Sequence, residues 1–205
     1  MKASKRAAPR AVVLYYEIVP SPVGPLTVVE SERGVLRIDF GATPAASLAV
    51  ELGQRLGSLV ELVAKRSLRT SIEIGEYFAG KRRRFDVPVD LGLVNGFGRR
   101  VLDELRRVPF GKLVSYGELA ASVGQPQGAR AVGGVMRKNP IPIVVACHRV
   151  TARDGSLGGF SGGLHVKRHL LAQEGIAQLA GGWPSKRARP SPRRRDALAR
   201  SSLGL

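Results

Sequence analysis

The apolar residues of this chain change their spacing once along its length, and that change limits the folds open to it. In 12–18, 26–31 and 35–40 they form three short β-branched runs, separated by "PSPVGP" and "ERG". Runs of that length, joined by turn residues, read as an antiparallel meander. From residue 97 onward the spacing is helical: Val101, Leu102, Leu105 and Val108 share one face of 97–108, with arginines opposite. Between the two regimes, "VPVDLGLVNG" looks extended and links them. The sequence therefore predicts an α/β (α+β) N-terminal domain with a short antiparallel sheet over 11–90. A mainly helical C-terminal domain follows over 91–178, and basic, disordered ends occupy 1–10 and 179–205.

Inside the first domain, Thr43 is placed to cap a helix whose first residue is Pro44. A second helix carries Leu68, Ile72, Ile74 or Gly75, and Phe78 at helical spacing and closes on Gly80. No cluster of catalytic residue types occurs here, and the domain reads as structural. In the second domain Ser115 and Glu118 form a capping box ahead of "YGELAASVG". After the break at "QPQG", helical spacing resumes in "ARAVGGVMRKN" with Ala129, Val132 and Met136 inward. Two short helices about such a turn, the second one basic, make a helix-turn-helix, winged-helix-like pattern. The small residues Ala129, Ala131, Gly133 and Gly134 suit either close approach of a nucleic-acid backbone or close helix packing. Beyond Asn139-Pro140, "IPIVVA" reads as a buried strand and "CHRV" as its exit. A glycine-rich loop, "RDGSLGGFSGG", then leads to a last helix closed by Gly175.

The net charge of +17 is unevenly placed. Residues 11–94 hold ten basic and ten acidic residues, whereas 95–175 hold twelve basic and five acidic. The two ends add eleven basic residues against Asp196 alone. A basic folded segment flanked by basic ends is the footprint of a polyanion-binding face, although a plain soluble surface can also be basic. No apolar stretch approaches the roughly 20 residues of a membrane span. The basic start has only a short apolar part, broken by Glu17, so no signal peptide is read there. Cys147 is the only cysteine, which leaves no internal disulfide or multi-cysteine zinc site and makes a reducing cytoplasm the expected compartment.

Cys147 is followed directly by His148 and Arg149. A thiol attacks only as thiolate, and a neighbouring imidazole can take its proton. On a strand, neighbours face opposite ways, so the pair needs a turn at that point; an apolar run otherwise buries a cysteine as core. Glu174 near a helix end and Arg130 at a helix start would ordinarily be solvated charges. His165 and His169 stand at i, i+4 with no acidic partner beside them, so no metal is expected.

Read as one ordered series, "SYGELA", "ARAVGGVMRKNP", "CHRV", "FSGG" and "LLAQEG" resemble the C-terminal domain of the O6-alkylguanine-DNA alkyltransferases, the methylated-DNA–protein-cysteine methyltransferases. The match covers about 97–175, and "GEYFAGKRRRFDVPVD" resembles the end of that family's N-terminal domain. The resemblance implies repair by direct reversal. A flipped O6-alkylguanine in double-stranded DNA, approached from the minor groove, would give its alkyl group to Cys147 in a single turnover. It implies His148 as proton acceptor through a water, Glu174 as the group holding the imidazole, and Asn139 as a brace for the turn. At the DNA it places Tyr116, Gly117, Gln125, Arg130, Ala131, Gly133, Arg137 and Arg153, with Arg130 filling the gap left by the flipped base. Around the alkylguanine it places Tyr116, Met136, Val150, Phe160 and Ser161. No cofactor, metal or membrane is implied, and a monomer is expected. The alternatives are a lesion-binding relative without transfer activity, which would lack the cysteine, and a winged-helix regulator, which would need neither "CHRV" nor the glycine loop. Two positions depart from the family pattern: Ala146 stands where proline usually precedes the acceptor cysteine, and Phe160 where tyrosine is common.

Overall fold

The computed structural model describes residues 11–176. The ends 1–10 and 179–205, expected to be disordered, lie outside the described residues. Strands β1 (Val12–Val19), β2 (Leu26–Ser31) and β3 (Gly34–Phe40) pair antiparallel in chain order, the meander that their alternation and turns predict. Gly34 has φ 130°, and a side chain there would strike the Pro88 backbone at 2.2 Å. Its absence lets the linker run against β3, where Val35 donates to Pro88 O at 2.9 Å and accepts from Asp90 N at 2.8 Å.

The sheet holds a fourth strand that the sequence reading missed. β4 (Val60–Ala64) lies parallel to β1, giving the order β3-β2-β1-β4. Its five residues are too short to announce a period, and its partner is far away in the chain. Helix α1 (Ala45–Leu56) carries the chain across one face of the sheet, packing Leu48 and Leu52 on Leu14, Val29 and Leu36. The helix starts one residue later than expected. Pro44 is the extended cap residue and no side chain caps the helix; Thr43 stands one position earlier, its N–H donating to Thr27 Oγ1 at 2.9 Å. Helix α2 (Arg69–Phe78) closes near Gly80, at φ 73°, as its pattern predicts. Its inward face is corrected: Thr70, Glu73, Ile74 and Tyr77 are buried, whereas Ile72 is 51% exposed. Apolar spacing misplaces the face because Glu73 belongs to the interior, where its carboxylate accepts from Asp86 N (2.7 Å) and Val87 N (3.3 Å).

The second half contains α3 (Gly96–Leu105), α4 (Tyr116–Ser122), α5 (Ala129–Arg137) and α6 (Leu164–Gln173). Two-residue strands β5 (Val114–Ser115) and β6 (Val150–Thr151) pair parallel. The capping box on α4 is formed in both directions, Glu118 N to Ser115 Oγ at 3.1 Å and Ser115 N to Glu118 Oε2 at 2.7 Å. Helices α4 and α5 form the helix-turn-helix, with Leu119, Val132 and Met136 buried and Ala129 only half-buried. One apolar core runs from Val28, Val35 and Ile38 of the sheet through Tyr77 to Val101, Leu119 and Leu170, so the two halves share an interior. Among the described residues, no helix is long and apolar enough to cross a membrane.

The expected strand over 141–146 is not one. Ile141, Ile143 and Val145 are fully buried, as their apolarity requires, yet the backbone doubles back on itself. Val144 N donates to Pro142 O (3.0 Å), Val145 N to Ile141 O (2.9 Å) and Cys147 N to Val145 O (2.8 Å). Pro140 and Pro142 have no N–H to offer a ladder. Asn139 ties the two ends together, Nδ2 donating to Val145 O at 2.8 Å and Oδ1 accepting from Ile141 N at 3.1 Å.

Candidate active site

Because the chain turns there, Cys147, His148 and Arg149 form a single 3-10 turn rather than the end of a strand. Ala146 enters it at φ −74°, the range a proline ring would impose. The turn divides its side chains. Cys147 faces a cavity of about 830 Å³, while His148 and Arg149 face inward onto Glu174. Glu174 caps the C-terminus of α6 and is itself buried, so it is not the solvated helix-end charge that its position alone suggests.

Four groups converge on the Glu174 carboxylate through five hydrogen bonds. Arg149 grips it as a fork, Nε to Oε2 and Nη2 to Oε1, both at 2.9 Å. His148 Nε2 lies 2.7 Å from Oε1, the Gly111 N–H donates to Oε2 at 3.0 Å, and the Tyr77 hydroxyl donates to Oε1 at 3.2 Å. Burial alone would raise the carboxyl; the His148 and Arg149 contacts outweigh it and hold Glu174 at about 2. A carboxylate can only accept, so Nε2 carries the proton and Nδ1 presents a lone pair. That Nδ1 is buried and makes no hydrogen bond. Burial pushes the imidazole below its ordinary value against the upward pull of Glu174, which keeps it neutral and able to receive a proton. Burial likewise raises the Cys147 thiol, with Asn139 and Lys167 pulling it the other way.

Around the cavity stand Tyr116 and Gly117 at the start of α4, Arg130, Gly133, Met136 and Arg137 of α5, and Arg153, Phe160 and Ser161 of the loop. The half-buried Tyr116 hydroxyl is fitted against Gly158, at φ 68°, where a side-chain carbon would come within 2.8 Å of it. Burial, and secondarily the neighbouring Cys147, raises that hydroxyl. The guanidinium groups of Arg130, Arg137 and Arg153 have no carboxylate within 4.0 Å among the described residues, unlike Arg106 and Arg107 of the α3 end. Three expected residues stand apart. Val150 is fully buried in the apolar core and is not part of the cavity lining. Ala131 lies on the far side of α5, lining a shallower hollow with Gly134 and Val135. Gln125 is exposed at the helix turn, where its carbonyl accepts from Gly128 N at 2.7 Å. His169 rests 6.2 Å from the Phe78 ring, and no group of three metal-capable side chains occurs among the described residues.

Sequence reasoning missed four contributors. Tyr77 reaches Glu174 from the N-terminal half, and Phe40 of β3 meets Phe160 edge-on at 5.6 Å. Phe40 lies outside every motif, and Tyr77, although inside "GEYFAGKRRRFDVPVD", is separated from Glu174 by 97 positions. Arg149 stands in "CHRV", but its fork onto Glu174 crosses 25 positions. Lys167 reads as a helix-surface lysine and is in fact fully buried.

The family profile described as 6-O-methylguanine DNA methyltransferase, DNA binding domain, matches residues 96–176. The profile described as the ribonuclease-like domain of 6-O-methylguanine DNA methyltransferase matches 14–91. The methylated-DNA–protein-cysteine methyltransferase of Sulfolobus acidocaldarius is 36% identical over 164 residues, 80% of this chain and 95% of that protein. The protein of the same name from Rattus norvegicus is 38% identical, covering 78% of this chain and 82% of that one. The crystal structure of Mycobacterium tuberculosis OGT in complex with DNA superposes with a TM-score of 0.64 at 32% identity, covering 79% of this chain and 93% of that chain.

Proposed function

The chain belongs to the 6-O-methylguanine DNA methyltransferase family and repairs DNA by alkyl transfer to protein cysteine; from that premise we propose that Cys147 is its acceptor. One observation carries the assignment. The sole cysteine lines a cavity with an arginine rim, and the imidazole beside it in sequence has one nitrogen committed to Glu174 and the other buried without a partner. His148 Nδ1 takes the thiol proton through a water molecule, and Glu174 with Arg149 holds the ring in the accepting tautomer. The thiolate then attacks the carbon on O6. An S–C bond forms, the C–O6 bond breaks, and guanine leaves with that electron pair and takes up a proton. A thioether does not revert, so each molecule reacts once.

The substrate is double-stranded DNA, a reading supported by the complex of the M. tuberculosis protein with DNA. The base swings into the cavity from the minor-groove side, which suits scanning of any sequence. Tyr116, Met136, Phe160 and Ser161 surround it, Arg130 fills the vacated stack, and Gly117, Gly133, Arg137 and Arg153 line the approach. Gln125 contacts DNA at the edge of the helix turn. Phe160 keeps an aromatic wall without a hydroxyl, so donors near O6 come from Ser161 and the loop backbone. The protein acts as a monomer in the cytoplasm, where the thiol stays reduced.

Intact-mass and peptide analysis after incubation with an O6-methylguanine duplex tests the assignment. One methyl mass on the Cys147 peptide is expected, with none in Cys147→Ala. An unmodified Cys147 on protein that still retains the lesion duplex returns the chain to a lesion-binding role.

A further inference from the structure

A second cavity, of about 830 Å³ like the one at Cys147, shares no lining residue with it. Its walls are residues 83–89, which follow α2, and residues 103–110 at the end of α3. The Cys147–Arg149 turn stands between the two cavities, giving Cys147 to one and Arg149 to the other. The charged lining of the second is Arg83, Arg84, Arg106, Arg107 and Arg149 against one carboxylate, Asp103. Arg106 and Arg107 suit the C-terminal end of a helix, and they have Asp103 at 3.7 Å and Glu104 at 2.8 Å as neighbours. Nothing comparable accounts for the opposite wall. Arg83 has no carboxylate within 4.0 Å among the described residues, and its guanidinium carbon lies 5.6 Å from the Phe110 ring centre. Arg84 meets Asp86 only at 4.0 Å. Their loop is nonetheless fixed: Arg82 Nη1 donates to Arg84 O at 2.9 Å and to Asp86 Oδ2 at 2.8 Å, and Asp86 N donates to Glu73 at 2.7 Å.

Arg149 is buried, and its fork on Glu174 with its bond to Val108 O uses three of the five N–H groups of a guanidinium. One N–H on each terminal nitrogen is left without a partner among the described residues. Like charges gathered from distant segments repel, and the walls of a cleft focus their field on an anion. The ends of the chain carry eleven basic residues against Asp196 alone, so the answering charge comes from a ligand. Every basic residue in the lining is an arginine, whose planar fork matches oxyanions. A carboxylate has two oxygens, whereas a terminal phosphate offers three and can bridge guanidinium groups on both walls. The cavity is larger than a lone phosphate fills, and the half-buried Phe85, Phe110 and Val144 add an apolar surface suited to a sugar or a base. We propose that this cavity is a nucleotide-phosphate site, separate from the one that takes the alkylated base, with Arg83 and Arg84 facing Arg106 and Arg107 across the phosphates and Arg149 at its buried end. The nucleotide is either free in solution or part of a further nucleic-acid strand.

Calorimetric titration of the full-length chain with ATP at fixed salt tests the site. Arg83→Gln combined with Arg84→Gln removes two exposed charges, so the fold is kept, and an unchanged melting temperature verifies this. Arg130→Gln combined with Arg153→Gln is the control on the Cys147 cavity. ATP is expected to bind the wild type, to lose about tenfold in affinity in the first pair, and to change less than about twofold in the second. Repeating the titration on protein saturated with a single-stranded thymidine octamer separates the two sources. ATP binding that disappears there assigns the site to a strand, and ATP binding that persists assigns it to a free nucleotide. Wild-type protein that binds no ATP, an affinity unchanged by Arg83→Gln with Arg84→Gln, or an equal loss in both pairs overturns the proposal. None of these results bears on Cys147, whose methylation is measured separately.

Discussion

At His148 two nitrogens of one ring have opposite surroundings, and the assigned chemistry depends on that difference. Nε2 is held by a carboxylate kept ionised by an arginine fork, and Nδ1 is buried without a bond. Glu174→Gln tests the arrangement, because an amide can donate to Nε2 and so favour the tautomer that cannot accept at Nδ1. Methyl transfer in that variant is expected to slow by about 10²–10⁴-fold, measured by single-turnover kinetics. Its stability is expected to fall by about 3–5 kcal/mol, because Arg149 loses its counter-charge in the interior. The pH dependence follows from the depressed carboxyl. Glu174 lies at about 2 when folded against an ordinary 4.5, so the unfolded chain binds more protons between these values. The stabilisation is complete above about pH 4.5 and is lost as pH falls toward 2. Thermal melting should decline through that window in the wild type and decline less in Glu174→Gln.

The element that delivers the cysteine is a compact turn under backbone strain. Ile143 sits at φ 74°, a left-handed conformation that β-branched residues rarely adopt. Asn139 bonds both ends of the turn and makes that conformation tenable. In Asn139→Ala the Val145 carbonyl and the Ile141 N–H lose buried partners, at about 1–3 kcal/mol for each group left unsatisfied. A lower melting temperature is expected, together with slower transfer at saturating DNA, since the thiol no longer has a fixed address. Loss of stability with unchanged transfer would leave Asn139 a structural role only. At this scale the sequence was legible in part. The capping box on Ser115 and the stop at Gly80 are local hydrogen-bonding and φ requirements, and both are where the sequence puts them. Residues 141–146 satisfy the apolar content of a strand, but two prolines and one asparagine amide settle their path.

Across the whole molecule, the N-terminal half is more than a support. Its sheet shares an apolar core with the helices, Ile38 N donates to Pro140 O at 2.8 Å just before the acceptor turn, and Tyr77 reaches Glu174. The excess positive charge is concentrated in the other half and in the ends of the chain. Each phosphate contact contributes a slope of about −0.9 to log K against log salt. Removal of 182–205, which carries seven basic residues and Asp196, is expected to flatten that slope while the rate at saturating DNA stays unchanged. An unaltered slope would show that this segment makes no phosphate contacts.

By itself the sequence determined the helix-turn-helix, the meander, the asymmetry of charge and the cysteine beside a histidine. Each of these is written in neighbours a few positions apart, as a period, a cap or a composition. The fourth strand, the hold of Arg149, Tyr77 and Gly111 on Glu174 and the burial of Lys167 were decided by the tertiary structure alone. They join residues tens of positions apart in the chain, and whether a charge stands in water or in a dry interior depends on which distant elements cover it.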